Sequence, residues 1–304
     1  MTALAAHTHR SAHPRRLVYL GTPDVAVAPL RALHAAGFEI PLVVTRADKR
    51  RGRGGLLVPS PVKAVALDLG LAVTDEVDAL LDVDAEIGVV VAFGRIIKPH
   101  VLDVLPMVNL HFSLLPRWRG AAPVERAILA GDATTGVCVM AVEEGLDTGG
   151  VYRRAETPID PDESLDELRG RLVEIGTELL LDALTRGLGP AEAQIGDVTH
   201  ASKIDPRELA LDFGSSASAV HATVRLGDAW TTFRGKRLKV WRTRVVDPFV
   251  VAVPLAPGQI EGAFVGTGDG VLEFIEVQPE GKGRQPIAAW RNGARPTPTD
   301  RLGA

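Results

Sequence analysis

Residues 87–92, Ile-Gly-Val-Val-Val-Ala, are apolar at both odd and even positions, and this run constrains the fold more than any other in the chain. An extended segment with two apolar faces needs a packing layer above and below it, as a central strand of a parallel sheet has between its crossover helices. The surrounding sequence supplies that setting. Residues 16–20, 40–45, 108–112 and 136–142 read as further strands. Between them, Pro23 is placed to open a helix that Gly37 closes, Ser60 and Pro61 form a cap and first-turn pair, and residues 121–130 read as another helix. In residues 164–186, Ser164 and Glu167 have capping-box spacing, and Leu165, Leu168, Leu172, Ile175 and Leu179 recur at helical intervals. Strands alternating with helices predict an α/β, doubly wound (Rossmann-like) domain over residues 16–189. Its first loop, Gly21-Thr22-Pro23, is not GxGxxG, so the dinucleotide fingerprint is absent.

Within this frame one strand is unusual. Val108, Leu110 and Phe112 are apolar, and Asn109 and His111 lie between them, on one face. Ser113-Leu114-Leu115-Pro116 follows, and the proline cannot continue a central strand. The pair therefore belongs at a strand end, where open α/β sheets bind ligands. Downstream, Gly145-Leu146-Asp147-Thr148-Gly149 sets an acid in a turn between glycines. Taken singly, these are an edge strand with two solvated polar residues and an ordinary turn aspartate. Asparagine is depleted in strands, and the combination is more specific than either half. A metal site is a poorer reading, because one His, one Asp and one Asn make a weak zinc set with no second histidine near in sequence.

Asn109-Leu110-His111, Ser113-Leu114-Leu115-Pro116, Arg119-Gly120-Ala121-Ala122-Pro123 and Gly145-Leu146-Asp147-Thr148-Gly149 together resemble the motifs of the 10-formyltetrahydrofolate-dependent formyltransferases. The likeness runs from about Arg16 to the C-terminus and is strongest in the first two thirds. It implies that Asn109, His111 and Asp147 are catalytic. It also implies that Ser113, Leu114, Leu115 and Pro116 help bind 10-formyltetrahydrofolate as a co-substrate, without a metal. The branch it is most similar to formylates the α-amine of methionyl initiator tRNA for translation initiation; a cytoplasmic monomer, not bound to a membrane, is expected. Branches acting on amino-sugar nucleotides, or hydrolysing the formyl folate, share these motifs and stay open. So does a non-catalytic RNA-binding protein, although intact Asn109, His111 and Asp147 argue against a decayed site.

The chemistry suits the residues. A neutral amine attacks the formyl carbon and a tetrahedral oxyanion forms, so a proton acceptor and oxyanion donors are needed. Asn109 brings two N–H donors, His111 handles a proton near neutral pH, and Asp147 orients or charges His111 and takes the amine's proton.

The 304 residues suggest two domains, and the net charge of −4 confines any nucleic-acid surface to local patches. Two such patches exist. In residues 46–59, Arg46, Lys49, Arg50, Arg51 and Arg53 surround Asp48 among three glycines. That composition fits a solvated loop or a phosphate contact, and the resemblance makes Arg53, in Gly52-Arg53-Gly54, a tRNA-binding residue. Arg225, Arg234, Lys236, Arg237, Lys239, Arg242 and Arg244 stand against the single acid Asp228, as a half-solvated sheet face or an RNA-facing strip in which Lys236, Arg237 and Lys239 are the candidates. Residues 230–235, 237–245, 258–265 and 270–277 read as strands, and the family implies an OB-like β-barrel over residues 207–304, after a polar, turn-rich linker at 190–206. The chain departs from the family at residues 225–230, a shorter turn without prolines, which leaves the local barrel shape and an RNA contact there open.

Cys138, the one cysteine, lies in an apolar strand pattern, so no intrachain disulfide forms and a reducing compartment fits. Residues 1–15, with His7, His9 and His13 but no apolar core, read as a disordered tail rather than a signal peptide.

Overall fold

The computed structural model describes residues 13–51 and 55–303. They fall into two compact units, the first comprising residues up to Pro123, Thr134–Thr157 and Arg169–Ser202, the second Val124–Ala133, Pro158–Leu168 and residues from Lys203 on.

In chain order the first stretch runs β1 (Leu17–Gly21), α1 (Val27–Ala35), β2 (Val43–Val44), the hairpin β3 (Lys49–Arg51) and β4 (Leu56–Val58), α2 (Pro61–Asp68), β5 (Val73–Thr74) and β6 (Ile87–Val91). Then follow α3 (Pro99–Leu102), β7 (Met107–His111), β8 (Arg119–Gly120), α4 (Pro123–Leu129), β9 (Thr134–Ala141), β10 (Val151–Pro158), α5 (Leu165–Arg186) and β11 (His200–Ala201). Seven strands form one sheet in the order β10-β9-β7-β6-β1-β2-β5. β6 is central and parallel to β1 and β7, while β9 runs antiparallel to β7. Alternation divides the core as two-faced strands require: Leu17, Tyr19, Val89, Val91, Val108 and Leu110 bury on one side, and Val18, Leu20, Val90 and Met107 on the other.

Local signals were expressed as read. The Ser60 hydroxyl accepts the Lys63 N–H at 3.0 Å with Pro61 in the first turn, and Ser164 and Glu167 close a reciprocal capping box. Gly37, at φ 83, follows the end of α1. The expected strand at 40–45 shrinks to Val43–Val44, and β10 comes from a charged stretch with no strand pattern. Residues 1–12 of the expected tail and Gly52-Arg53-Gly54 lie outside the described residues. His13 is held by the Thr185 carbonyl at 2.9 Å and the Arg15 N–H donates to Glu86 at 2.6 Å.

The second unit carries α6 (Ala217–Arg225), β12 (Trp230–Phe233), β13 (Lys236–Val246), β14 (Ile260–Glu261), β15 (Phe264–Gly266), β16 (Val271–Pro279), β17 (Gln285–Pro286) and α7 (Ile287–Ala294). The strands pair antiparallel along the path β12-β13-β16-β15-β14, with β17 beside β16, so the path is open rather than a closed ring of ladders among the described residues. Residues 258–265 are not one strand: Gly262 turns the chain at φ 60 between β14 and β15. Neither α6 nor α7 was expected in a region that alternates like strands; α6 is capped by Ser216, whose hydroxyl accepts the Ala219 N–H at 3.2 Å. Their apolar residues, with Phe233, Leu238, Val240 and Phe274, fill this unit's own core.

Candidate active site

Asn109 and His111 end β7, on the face opposite to Val108 and Leu110, and their register partners across β9 are Met140 and Cys138. Directly opposed residues share a face, so the pair stands over a small apolar floor of Leu115, Cys138, Met140 and Val151. Burial pushes the Cys138 thiol up, which keeps it protonated and inert.

Asp147 reaches this pair from the loop between β9 and β10. Its Oδ1 lies 3.4 Å from Asn109 Nδ2, its Oδ2 accepts the Gly120 N–H at 2.8 Å, and that Oδ2 is 3.7 Å from His111 Nδ1. All three predicted catalytic residues therefore converge. The His111–Asp147 separation is too long for a hydrogen bond, though both side chains are largely buried and face each other. His111 Nε2 is 2.9 Å from the Trp118 carbonyl, which can only accept, so Nε2 carries the hydrogen and Nδ1 faces Asp147.

The glycines of the turn have steric reasons. A Cβ on Gly149 would lie 2.0 Å from the Ala141 carbonyl oxygen, so only glycine lets the loop return against the end of β9. Gly120 adopts φ 125, where a Cβ would stand 2.8 Å from the Ala201 carbonyl oxygen while its N–H reaches Asp147. Asp147 itself is at φ 51, in the left-handed region where aspartate is one of the few tolerated side chains.

The segment 113–116 turns the chain away from β7. The Ser113 hydroxyl donates to the Arg117 carbonyl at 2.6 Å, and Ser113, Leu115 and Pro116 are buried while Leu114 is half-buried. The Leu114 carbonyl accepts the Arg117 N–H at 3.1 Å and the Pro116 carbonyl the Thr199 N–H at 3.4 Å, so the segment is held as a turn.

Residues that sequence reading missed come from 194–201, within the stretch expected as a linker. Thr199 accepts the Trp118 N–H on its hydroxyl at 2.8 Å and the Arg119 N–H on its carbonyl at 2.9 Å, and β11 pairs with β8. Gln194 contacts Arg119 and the Asp147 loop. No periodicity or motif marks these residues; only the long-range pairing reveals them.

Of the predicted tRNA-binding residues, Arg53 lies outside the described residues. Its flanking hairpin exposes Leu56 and Leu57. On β13, Lys236 and Arg237 are exposed and Lys239 half-buried. The Arg237 guanidinium lies 4.4 Å from the centre of the Trp230 ring, while Lys239 Nζ is 5.2 Å from the Trp241 ring and pairs with Asp228. Arg284 covers the Trp241 ring at 3.3 Å. The ladder shifts register around Trp241 and Arg242, a bulge that the sequence did not announce. Among the described residues no group of three or more His, Cys, Asp or Glu is gathered to hold a metal, and no helix is long and apolar enough to cross a membrane.

Comparison with known proteins shows the family. Residues 15–184 match the formyl transferase family and residues 203–295 the formyl transferase C-terminal domain. A methionyl-tRNA formyltransferase of Symbiobacterium thermophilum is 42% identical over 300 residues, spanning 91% of this chain and 92% of the relative. One from Jannaschia sp. is 42% identical over 301 residues, spanning 93% and 98%. Among solved structures, the N-formyltransferase of Helicobacter canadensis in complex with folinic acid and dTDP-3-aminofucose superposes with a TM-score of 0.66 at 16% identity, covering 86% of this chain and 98% of that one. HypX of Aquifex aeolicus in complex with tetrahydrofolic acid gives 0.62 at 16% identity, covering 93% of this chain and 47% of that longer one. By sequence and by fold, this chain belongs to the formyl transferase family.

Proposed function

We propose that this chain transfers the formyl group of 10-formyltetrahydrofolate to the α-amine of methionyl initiator tRNA, for translation initiation, using Asn109, His111 and Asp147. The observation that carries the chemistry is their convergence at the end of β7, with Asp147 3.4 Å from Asn109 and 3.7 Å from His111. The tRNA acceptor follows from relatives of that name at 42% identity over most of the chain.

The amine nitrogen attacks the formyl carbon and the carbonyl oxygen becomes an oxyanion. Asn109 spends one N–H on Asp147 and keeps the other for that oxygen. Asp147, directly or through a water, takes the amine's proton, and His111 Nδ1 faces the same carboxylate. The bond from the formyl carbon to the folate nitrogen then breaks, and the proton held by the Asp147–His111 pair passes to that nitrogen. The folate lies against Ser113, Leu114, Leu115 and Pro116. Arg53, Lys236, Arg237 and Lys239 take tRNA phosphates. The catalytic domain is residues 16–189, and residues 207–304 form an OB-like barrel. Supporting the barrel, Leu302 bridges to Phe233 at the end of β12 and Arg301 to Gln259 beside β14, so the C-terminal segment straps the two ends of the open sheet. The enzyme works in the cytoplasm as a monomer.

The test offers purified protein a formyl folate with charged initiator tRNA and, in parallel, amino-sugar nucleotides. Formyl-methionyl-tRNA is the expected product. Efficient transfer to the sugar alone would replace the acceptor, and loss of formyl to water would make the enzyme a hydrolase.

A further inference from the structure

We infer that Gln194 is a positioning residue for Asp147, gripping the main chain of the Asp147 loop while Arg119 grips Gln194. The inference rests on the reading of Asp147 as catalytic. Residues 191–193 and 195–198 are exposed, and Ile195 stands 88% in solvent; Gln194 alone among them turns inward.

Its amide is fully used. Nε2 donates one hydrogen to the Asp147 carbonyl and one to the Gly149 carbonyl, both at 2.8 Å. Oε1 accepts from Arg119 Nε at 3.0 Å and Nη2 at 2.7 Å. A guanidinium only donates and a carbonyl only accepts, so the amide cannot be turned over without losing every bond. Charge on Arg119 polarises the amide and strengthens its donation to the two carbonyls.

The contacts close a ring. Arg119 is joined by a peptide bond to Gly120, whose N–H holds the Asp147 carboxylate at 2.8 Å. One end of Asp147, its carboxylate, is thus fixed by the main chain at 120, and its carbonyl is fixed, through Gln194, by the side chain at 119. Asp147 needs such a brace because φ 51 is a conformation its own sequence does not enforce. A glutamate at 194 could still pair with Arg119 but would turn acceptors toward two carbonyl oxygens.

The experiment compares Gln194→Met, Gln194→Glu, Asp147→Asn and the double variant Asp147→Asn/Gln194→Met by steady-state kinetics, with thermal unfolding as a fold check. Misplacing a reacting group by about 1 Å costs on the order of 100-fold, so Gln194→Met should lower kcat about 10- to 100-fold with KM for folate and acceptor within about threefold. Gln194→Glu, which can keep the Arg119 pairing but loses both donors, should lose kcat similarly, with thermal unfolding showing that the fold is retained at the assay temperature. Residues acting as a unit are non-additive, so the double variant should be no more than about threefold slower than Asp147→Asn alone. Wild-type kcat in both Gln194 variants, or losses that multiply in the double variant, would reduce Gln194 to scaffolding. If Asp147→Asn itself turned over normally, the catalytic reading would fall and this one with it. An inactive Asp147→Asn beside normal Gln194 variants would remove this inference alone.

Discussion

Around Asp147, the carboxylate and the carbonyl are held by main-chain and amide partners from distant parts of the chain, and the neighbouring imidazole by the main chain just after its own strand. Along β13 the cations rest on aromatic faces and surface carboxylates: Arg237 on Trp230, Lys239 on Trp241 and Asp228, Arg244 on Glu273. The first arrangement is preorganised, and its groups meet a reacting atom without rearranging. The second is exchangeable. Exposed ion pairs are worth about 0–1 kcal/mol and exposed cation–π contacts about 0.5–1 kcal/mol, so a phosphate can take over such a cation at little cost. On the proposed reading, the fixed groups serve the chemistry and the exchangeable cations serve the recognition of a long polyanion.

The largest effects should come from breaking the preorganised side. His111→Ala, Asn109→Ala and Asp147→Ala should each cost about 10²–10³ in kcat, the usual loss for one oxyanion donor or its equivalent, with the fold retained. Near-normal turnover in any two, measured with saturating tRNA and folate, would remove the site assignment. On the exchangeable side, Lys236→Glu, Arg237→Glu and Lys239→Glu combined should raise the acceptor's KM about tenfold and leave the folate KM unchanged. The slope of log KM against log salt should flatten by about 0.9 for each duplex phosphate that the variant no longer neutralises. A triple variant with the parental slope would show that β13 does not face RNA.

The sharpest refinement, and the smallest effect, concerns a buried polar group inside the second unit. His221 Nδ1 meets the Thr243 hydroxyl at 2.8 Å, and Nε2 faces the Pro161 carbonyl at 3.1 Å and Asp162 at 3.2 Å. Burial holds this imidazole below its ordinary 6.5; the Pro161 carbonyl and Asp162 pull it back up, and Arg225 adds to the lowering. The unfolded chain takes up a proton near 6.5 while the folded one resists, so stability falls as pH drops from 6.5 through the lower folded value. His221→Gln should flatten this acid limb, so that Tm falls less between about pH 7 and pH 5 than in the parent. Parallel Tm curves for the two proteins would show that His221 does not govern it.

What was legible followed from short-range rules. The two-faced run at 87–91, the Ser60 and Ser164 caps and the polar pair at 109 and 111 each declare themselves within a few residues. What was not legible depends on partners far along the chain. β10 is a strand because β9 offers it an edge, although Arg153, Arg154 and Glu156 deny it a strand pattern. α6 carries signals of its own, Ser216 as cap and Ala217, Val220 and Val224 at helical spacing, that the strand-like alternation downstream obscured. Gln194 sits in a turn-rich polar stretch, and its acceptors lie 47 and 45 residues earlier.

That separation has a consequence for the order in which the molecule comes into being. A polypeptide leaves the ribosome N-terminus first, so the Asp147 loop emerges before the amide of Gln194 that grips its main chain. Until Gln194 and the two residues of β11 have followed, a growing chain carries the Asp147 loop without the Gln194 donors, and β8 without its strand partner. If the proposed roles hold, competence arrives with a later segment that has no chemistry of its own.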